Sequence, residues 1–277
     1  MDLVIQGPVV GAAELASIAA LSGAQGITVL EGGGQQAYRL PRVATKEGVA
    51  EFCDAAGIDA AFVPGDLARD RVRLVAMDMD STLITIECID EVADMLGIKP
   101  QVASITAAAM RGEIDFRESL IRRVALLAGL PVEALARVYD EKLRLSPGAE
   151  RMLDGFAAAG ATTLLVSGGF SFFTDRLATR LRIDETAANT LEMADGRVTG
   201  RLVGAIVDAR EKASRFAAAR RRAGDGITVA IGDGANDLPM LRAADVSIAY
   251  RAKPVVRAEA TYAIDHCGLD AVLNLFA

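Results

Sequence analysis

The chain has 277 residues, enough for one large or two modest domains. Its content of 52% hydrophobic and 24% charged residues is typical of a globular protein and excludes a disordered one. The net charge of −7 argues against a nucleic-acid-binding protein and against a polybasic membrane anchor. The three cysteines are widely spaced, and with the single histidine they fit neither a disulfide framework nor a His/Cys metal site.

The weakly charged N-terminal segment raises the question of a membrane span. Residues 3–30 contain one charged residue, Glu14. Pro8 and four glycines divide this segment into pieces shorter than the ~20 residues that a spanning helix needs. No basic residue precedes Arg39, so the basic region of a signal peptide is missing as well. We therefore expect a soluble, cytoplasmic protein with no membrane partner.

Residues 1–70 predict a small βαββαβ domain. Strands are expected at 3–5, 27–30, 37–40 and 60–63, and helices at 12–21 and 46–56. The two middle strands would be joined across Gly32, Gly33 and Gly34. The order is typical of ferredoxin-like folds, which include small amino-acid-binding (ACT-like) modules. Two interpretations stay open: a domain that binds an amino acid, or a packing domain that binds no ligand and offers a surface for a homodimer.

Residues 71–277 predict a larger domain of alternating strands and helices, with its boundary at the Pro-Gly-Asp and charged segments of residues 64–73. Residues 87–145 show only helical periodicity, which predicts a helical cap inserted between the first two strands. The alternation predicts an α/β fold with a doubly wound parallel sheet. Its strands are expected at 73–77, 161–166, 227–231 and 246–249, with a hairpin over 191–203 that turns at Asp195-Gly196.

The segment Met77–Thr82, with sequence Met-Asp-Met-Asp-Ser-Thr, directly follows an apolar run that predicts a short buried strand. Two carboxylates at the end of a buried strand are costly unless a cation lies between them. The hydroxyls of Ser81 and Thr82 are suited to hold phosphate oxygens. An isolated Asp-x-Asp is more often a turn with helix-capping residues, so the interpretation depends on what else reaches the same edge of the sheet.

Three further polar motifs follow in order: Ser167-Gly168-Gly169, Lys212, and the segment Gly232–Asp237. Those on strands are expected at strand carboxyl ends, where doubly wound sheets bind ligands. With the first motif this ordered set resembles the haloacid dehalogenase superfamily of phosphotransferases, and within it the phosphoserine phosphatases. The resemblance extends over roughly residues 73–270.

The carboxylates suggest a covalent mechanism. Asp78 would attack a phosphomonoester and form an aspartyl-phosphate. Asp80 would protonate the leaving alkoxide and then activate water. With Asp233 and Asp237 at the same rim, a hard cation is required, and Mg²⁺ fits best. The resemblance implies that Asp78, the backbone carbonyl of Asp80 and Asp233 bind the ion, with Asp237 close behind them.

The resemblance also assigns the groups that hold the phosphoryl oxygens. Ser167 and the amide of Gly168 would contact these oxygens, and Lys212 would balance their charge in the transition state. Asn236 would form a hydrogen bond near the nucleophile or the substrate. Taken alone, a lysine on a helix is usually solvated, so the assignment of Lys212 depends on the other motifs.

Specificity would come from the cap. In the phosphoserine-phosphatase pattern, Glu87 receives the substrate ammonium and Arg123 pairs with its carboxylate, a task that suits a planar guanidinium. Arg122 could exchange roles with Arg123, and without the motif a pair on a helix surface would be the simpler interpretation. Met110 and Phe116 would form an apolar lid. The implied reaction is Mg²⁺-dependent hydrolysis of O-phosphoserine to serine and phosphate, the last step of serine biosynthesis.

Three other functions share parts of this pattern. Another enzyme of the same superfamily would share the core motifs and act on a different small phosphate, which Glu87 and Arg123 disfavour. A signalling receiver domain also accepts phosphate on an aspartate, but it is shorter and has no acid at the position of Asp80. A module that senses amino acids through residues 1–66 would leave the larger domain inert, which an intact set of Asp78, Asp80, Lys212 and Asp233 argues against.

Overall fold

The computed structural model contains two sheets that pack against one another. The structure describes residues 1–31 and 34–276. A four-stranded sheet with two helices occupies residues 2–63, and a seven-stranded sheet begins at residue 72. Within the described residues, no helix has the length and apolar character needed to cross a membrane.

The N-terminal sheet has the predicted βαββαβ order, in the elements β1 (Asp2–Gly7), α1 (Ala12–Ser22), β2 (Thr28–Leu30), β3 (Gln36–Leu40), α2 (Val49–Ala55) and β4 (Asp59–Val63). Its strands are antiparallel in the order β2-β3-β1-β4, which confirms the ferredoxin-like, ACT-like arrangement. Helix α2 starts later than predicted because Gly48 before it has a left-handed backbone with φ of 71°. The predicted join across Gly32 and Gly33 lies outside the described residues.

Both faces of this sheet are covered. Leu3 and Ile5 of β1 pack against α1 and α2 in a small core of their own. Val4, between them, points to the opposite face and joins the main core together with Ala61 and Val63 of β4. Since neighbouring strand residues point to opposite faces, the sheet lies between its own helices and the larger part of the chain.

The larger sheet has the strands β5 (Val72–Met77), β6 (Thr162–Phe170), β7 (Glu185–Ala194), β8 (Arg197–Val203), β9 (Ile227–Gly232), β10 (Val246–Tyr250) and β11 (Tyr262–Ile264). Their order is β11-β10-β9-β5-β6-β7-β8, and every neighbouring pair is parallel except β7 and β8. The predicted doubly wound α/β sheet is therefore confirmed, with β8 added as an antiparallel edge. The chain leaves β5 toward β6 on one side and later fills β9 on the other, so the switch point lies between β5 and β9.

The predicted hairpin is present, with φ of 48° at Asp195 and 72° at Gly196, as a type I′ turn requires. Its first strand starts at Glu185 rather than at the predicted Leu191, and this early half pairs in parallel with β6. The segment reads Glu-Thr-Ala-Ala-Asn-Thr, and its small and polar side chains lack the apolar alternation that predicts a strand.

Residues 87–145, all of them described, contain helices and no strand, as predicted. The cap helices are α3 (Cys88–Met95), α4 (Lys99–Met110), α5 (Phe116–Ala125) and α6 (Val132–Arg137). The helices that flank the sheet are α7 (Ala149–Ala158), α8 (Ser171–Leu181), α9 (Ala209–Ala223), α10 (Leu238–Ala243) and α11 (Pro254–Glu259). Successive residues of β5 enter two cores, one with α9 and α10 and one with α7 and α8. Helices thus cover both faces, and the carboxyl ends of the strands face the cap.

Candidate active site

Asp78 follows β5 at the switch point. Its N–H donates to the carbonyl of Ile231 in β9 at 3.0 Å, which continues the sheet pairing into the site. The side chain is buried, and its Oδ1 accepts a hydrogen bond from the Met79 N–H at 2.7 Å. The carboxylate is therefore fixed by the backbone of its own turn, as expected for a nucleophile that must keep one orientation.

Asp80 lies in the turn that follows, Met79–Leu83. Its Oδ1 accepts from the Cys88 N–H at 2.9 Å, which ties the turn to the first turn of the cap. Ser81 has a left-handed backbone with φ of 57°, a strained conformation for a residue with a side chain. A Cβ on Gly169 would lie 2.7 Å from Asp80 Oδ2, so only glycine lets this carboxyl approach the end of β6.

Lys212 is a buried lysine on α9 whose Nζ lies 2.8 Å from Oδ1 of Asp78 and 2.8 Å from Oδ1 of Asp237. Burial lowers the pKa of this ammonium, but the carboxylates of Asp237 and Asp78 outweigh burial and raise it above its usual value. Lys212 is therefore a fixed positive charge between two carboxylates, and the interpretation of a solvated helix lysine is wrong.

Asp233 and Asp237 come from the turn after β9. Asp237 is buried, and its Oδ2 accepts from the Gly234 N–H at 3.0 Å. A Cβ on residue 232 would lie 2.6 Å from Asp237 Oδ2, which explains the glycine there. One carboxylate oxygen from each of Asp78, Asp233 and Asp237 lies within 4.8 Å of the others. Three hard oxygen donors at this spacing fit a divalent cation such as Mg²⁺.

The hydroxyls of Ser81 and Thr82 contact carboxylates of the site. Thr82 is fully buried, and its Oγ1 donates to Asp233 Oδ1 at 2.8 Å. Ser81 Oγ donates to Glu87 Oε1 at 2.7 Å. Both hydroxyls therefore orient carboxylates of the site, and their contact with phosphate oxygens stays a prediction.

Three carboxyl groups of the site have raised pKa values. Burial raises the pKa of Asp80 to about 7, with a further contribution from the negative charge of Glu87. Burial likewise raises the pKa of Asp233 to about 6. Burial and the neighbouring Asp237 raise the pKa of Asp78 well above its usual value, against the opposing effect of Lys212. A carboxyl whose pKa lies near 7 can donate a proton and take one back at neutral pH, as the predicted acid–base role of Asp80 requires.

One cavity of about 360 Å³ opens above these carboxylates, between the sheet and the cap. It is lined by eight of the predicted site residues: Asp78, Asp80, Glu87, Arg123, Ser167, Gly168, Asp233 and Asn236. Lys212 and Asp237 are not in the wall: Lys212 contacts Asp78 from behind, and Asp237 contacts Lys212. The structure thus brings residues from three of the four motifs, together with the cap, to a single space.

The carboxyl end of β6 supplies another part of the cavity wall. Ser167 Oγ accepts from the Gly169 N–H at 2.8 Å. The carbonyl of Gly168 accepts from Asn189 Nδ2 at 2.8 Å, while Asn189 Oδ1 accepts from the Val207 N–H at 2.8 Å. Asn189 is buried and was not predicted, and it holds the Gly168 peptide against the segment before α9.

The cap contributes one acidic and one basic side chain. Glu87 precedes α3, and Arg123 lies on α5 with its Nε donating to the carbonyl of Ser119 at 3.4 Å. Burial lowers the pKa of Arg123, while Asp90, Glu87 and Asp80 oppose that effect. Arg122 points away from the cavity and pairs with Glu118 at 2.5 Å on the surface. The structure therefore puts Arg123, and not Arg122, in the wall.

The predicted lid residues Met110 and Phe116 also line the cavity, together with several residues that were not predicted, which are Ile89, Thr106, Ala109, Ser119, Leu120, Phe170 and Lys253. Phe116, Ser119, Leu120 and Arg123 are spaced three, four and seven residues apart, so they lie on one face of α5. That spacing could have identified Ser119 and Leu120. The sequence around Lys253 carries no comparable pattern.

Comparison with known proteins identifies the family. The model of the haloacid dehalogenase-like hydrolases matches residues 75–242, more than half of the chain, and a second model of the same description matches residues 211–276. A model of a domain of unknown function matches residues 3–49.

The chain is 51% identical over 217 residues to the phosphoserine phosphatase of Polaromonas sp., an alignment that covers 76% of this chain and 92% of the relative. It also resembles the crystal structure of a probable phosphoserine phosphatase from Vibrio cholerae, with a TM-score of 0.87 at 33% identity over 99% of this chain and 85% of that one. A phospho-aspartyl intermediate analogue of phosphoserine phosphatase matches with a TM-score of 0.69 at 33% identity, over 75% of this chain and all of the other. The chain belongs to the haloacid dehalogenase-like hydrolase family.

Proposed function

We propose that the chain is a Mg²⁺-dependent phosphoserine phosphatase that hydrolyses O-phosphoserine to serine and phosphate. The observation that carries the proposal is the single cavity in which an anionic, cation-requiring cluster faces Glu87 and Arg123 of the cap. A substrate with a phosphate, an ammonium and a carboxylate needs a cationic centre for the phosphate, an acidic side chain for the ammonium and a basic side chain for the carboxylate. The named relatives support the same reaction class.

Asp78 is the proposed nucleophile. Its carboxylate oxygen would attack phosphorus and form an acyl-phosphate bond as the bond from phosphorus to the serine oxygen breaks. Lys212, 2.8 Å from Asp78 Oδ1, favours the ionised carboxylate against the effect of burial. The phospho-aspartyl analogue of a related phosphatase supports this assignment.

Asp80 is the proposed acid and base. Its carboxyl, whose pKa is raised to about 7, would give its proton to the departing serine oxygen. The resulting carboxylate would then take a proton from the water whose oxygen attacks phosphorus, and the bond between phosphorus and Asp78 would break to release phosphate. The hydrogen bond from the Cys88 N–H would hold the Asp80 carboxyl at the start of the cap during both steps.

A divalent cation, which we propose to be Mg²⁺, would be held by Asp78, the backbone carbonyl of Asp80 and Asp233, with Asp237 close behind. When bound, it would neutralise the carboxylates and polarise the phosphoryl oxygens. Ser167 and the Gly168 amide would position those oxygens, and Asn236 would add a hydrogen bond from the opposite wall.

Substrate recognition is assigned to the cap: Glu87 would bind the ammonium and Arg123 the carboxylate. The test is phosphate release from phosphoserine, phosphothreonine, phosphoethanolamine and 3-phosphoglycerate, with and without Mg²⁺. We expect a Mg²⁺-dependent preference for phosphoserine. A Mg²⁺-dependent preference for another ester would support a different phosphomonoesterase of the family and reject the assignment of the cap.

We also propose that residues 1–70 and 71–277 are two domains, with the cap inserted at 87–145, and that the protein is cytoplasmic. Three buried cysteine thiols fit a reducing compartment. A homodimer through the N-terminal domain is supported by the edge strand β2, which exposes 64% of Val29. The molar mass in solution, measured by light scattering, tests the dimer.

A further inference from the structure

One buried carboxylate of the N-terminal sheet binds the loop of residues 265–267 in the larger domain. Asp59, the first residue of β4, is 6% exposed. Its Oδ1 accepts from the Asp265 N–H at 2.8 Å, its Oδ2 accepts from the Cys267 N–H at 2.9 Å, and the His266 N–H lies 3.2 Å from both oxygens. Three consecutive N–H groups on one carboxylate form a strong, charge-assisted anchor.

The anchored loop leads directly to the segment where the cap ends. The Leu269 N–H donates to the carbonyl of Pro147 at 2.7 Å. A Cβ on Gly268 would lie 2.6 Å from the same carbonyl, so the two backbones are in close contact. Ser146, Pro147 and Gly148 also border an open cavity of about 570 Å³.

The same segment supports the Met79–Leu83 turn, which contains Asp80. Ser146 Oγ donates to the carbonyl of Thr82 at 2.6 Å, and the Ser146 N–H donates to the carbonyl of Leu83 at 2.9 Å. Leu145 pairs with Ile84 in an antiparallel bridge, which joins the two ends of the cap. Thr82 Oγ1 in turn holds Asp233 Oδ1 at 2.8 Å. Hydrogen bonds connected by short backbone segments therefore link the N-terminal sheet to a carboxylate of the active site.

We propose that Asp59 is a positioning residue for the active site. Through the 265–269 loop it fixes the 144–147 segment, and through that segment it sets the orientation of Thr82, Asp233 and the base of the cap. The role of the N-terminal domain is then to hold the Met79–Leu83 turn and the two ends of the cap in place, and it requires no bound ligand. This inference rests on the proposed phosphatase function of the same site.

The test compares Asp59→Asn with a matched interface variant, Gln6→Leu. The asparagine side chain would keep the volume but place an amide NH₂ against a backbone N–H, which breaks the anchor. Gln6 Oε1 accepts from Asn274 Nδ2 at 2.8 Å, a buried bond across the same interface that does not touch the 265–267 loop. Both changes remove buried hydrogen bonds, so both are expected to lower the melting temperature.

The two variants should differ in kcat and in the rate of hydrogen exchange near the active site. Asp59→Asn should lower kcat for phosphoserine by about tenfold, because small misplacements of catalytic groups are costly, while Gln6→Leu should stay within about twofold. Hydrogen exchange of the full-length, metal-free protein should be faster at 79–87 and 143–148 in Asp59→Asn only. Equal kcat losses in the two variants, or unchanged exchange at 79–87, would overturn the proposal.

A second variant keeps the test valid if Asp59→Asn fails to fold. Ser146→Ala leaves the Asp59 anchor intact and removes the bond to the Thr82 carbonyl. It should lower kcat and speed exchange at 79–87 as well, and when combined with Asp59→Asn the effects should be less than additive. Unchanged kcat and exchange in Ser146→Ala would reject the proposal. If wild-type protein does not hydrolyse phosphoserine, the proposed function fails, while the exchange comparison still tests the positioning.

Discussion

Lys212 Nζ lies 2.8 Å from Oδ1 of Asp78, and the two side chains are 1% and 8% exposed. A buried ammonium in contact with a buried carboxylate favours the ionised form and so opposes the rise in the pKa of Asp78 that burial causes. The same ammonium contacts Asp237 at 2.8 Å, so Lys212 also joins the strand ends of β5 and β9. Most of the proposed chemistry depends on this one positive charge.

Lys212→Gln should lower kcat for phosphoserine by about 100–1000-fold, because it removes a preorganised charge from the site of phosphoryl transfer. Initial rates at saturating substrate and Mg²⁺ give the number, with circular dichroism to verify folding. Arg215→Gln is the matched control, since Arg215 lies on the same helix and pairs with Glu211 on the surface at 2.7 Å. A folded Lys212→Gln protein with at least half of wild-type kcat would show that this charge is not needed.

Arg123→Ala should raise KM for phosphoserine by about 10–100-fold, the effect of losing a charge-assisted hydrogen-bond pair, and should change KM for phosphoethanolamine little because that ester has no carboxylate. Steady-state kinetics with both esters test this. Arg122→Ala is the control, because Arg122 pairs with Glu118 outside the cavity. An equal rise in KM for the two esters would mean that Arg123 does not bind the substrate carboxylate.

Gly169→Ala should impair catalysis more than stability. The new methyl group would lie 2.7 Å from Asp80 Oδ2 and 3.1 Å from Ser167 Oγ, so both groups would have to move. We expect a loss of kcat of about 100-fold, in keeping with a displacement near 1 Å. Wild-type kcat in Gly169→Ala would contradict the tight fit described for Asp80.

Gly160→Ala is the comparison for this variant, because it should show the opposite balance. Gly160 precedes the amino end of β6, away from the site, and a Cβ there would have no atom within 4 Å. Its φ of 80° makes alanine unfavourable, so the melting temperature should fall while kcat stays within about twofold of wild type. Thermal unfolding and initial rates of the two variants, measured side by side, separate the two effects.

The stability of the metal-free protein should depend on pH through the buried carboxyl groups. Burial raises the pKa of Asp80 to about 7 and that of Asp233 to about 6, from an ordinary value of 3.8. The folded state therefore retains protons that the unfolded chain releases. The free energy of unfolding should fall as the pH rises from about 4 to about 7 and then level off, as far as these groups contribute.

A divalent cation would reverse this trend, because it binds the deprotonated carboxylates and displaces their protons. The rise in melting temperature produced by Mg²⁺ over a chelator should therefore be larger at about pH 8 than at about pH 5.5. Thermal unfolding in both buffers measures it, and Asp233→Asn should reduce the rise. The same rise at both pH values would contradict cation binding at these carboxylates.

Much of this arrangement could be predicted from local sequence. The strands β5 and β9 are apolar runs that end in aspartates, so their carboxyl ends, and with them Asp78 and Asp233, were expected to meet. The first half of β7 could not be predicted, because Ala187 and its neighbours lack an apolar alternation and form a strand only by pairing with β6.

The support of the site was harder to predict. Thr82 and Ser146 are 64 residues apart, and nothing in either segment indicates that Ser146 Oγ donates to the carbonyl of Thr82. Asp59 and Asn189 likewise act on backbone groups that are distant in sequence, and backbone groups leave no pattern of residue types. Contacts between side chains of matching chemistry can be predicted from motifs, but contacts to the backbone depend on the completed fold.

The central claim, that Asp78 carries the phosphoryl group, can be tested directly by rapid acid quench of wild-type protein with phosphoserine and Mg²⁺ during the first turnover. Peptide mass spectrometry then locates the phosphoryl group. We expect a phosphorylated Asp78 and a release of serine that precedes the release of phosphate. An unmodified Asp78, with serine and phosphate released in parallel from the start, would contradict it.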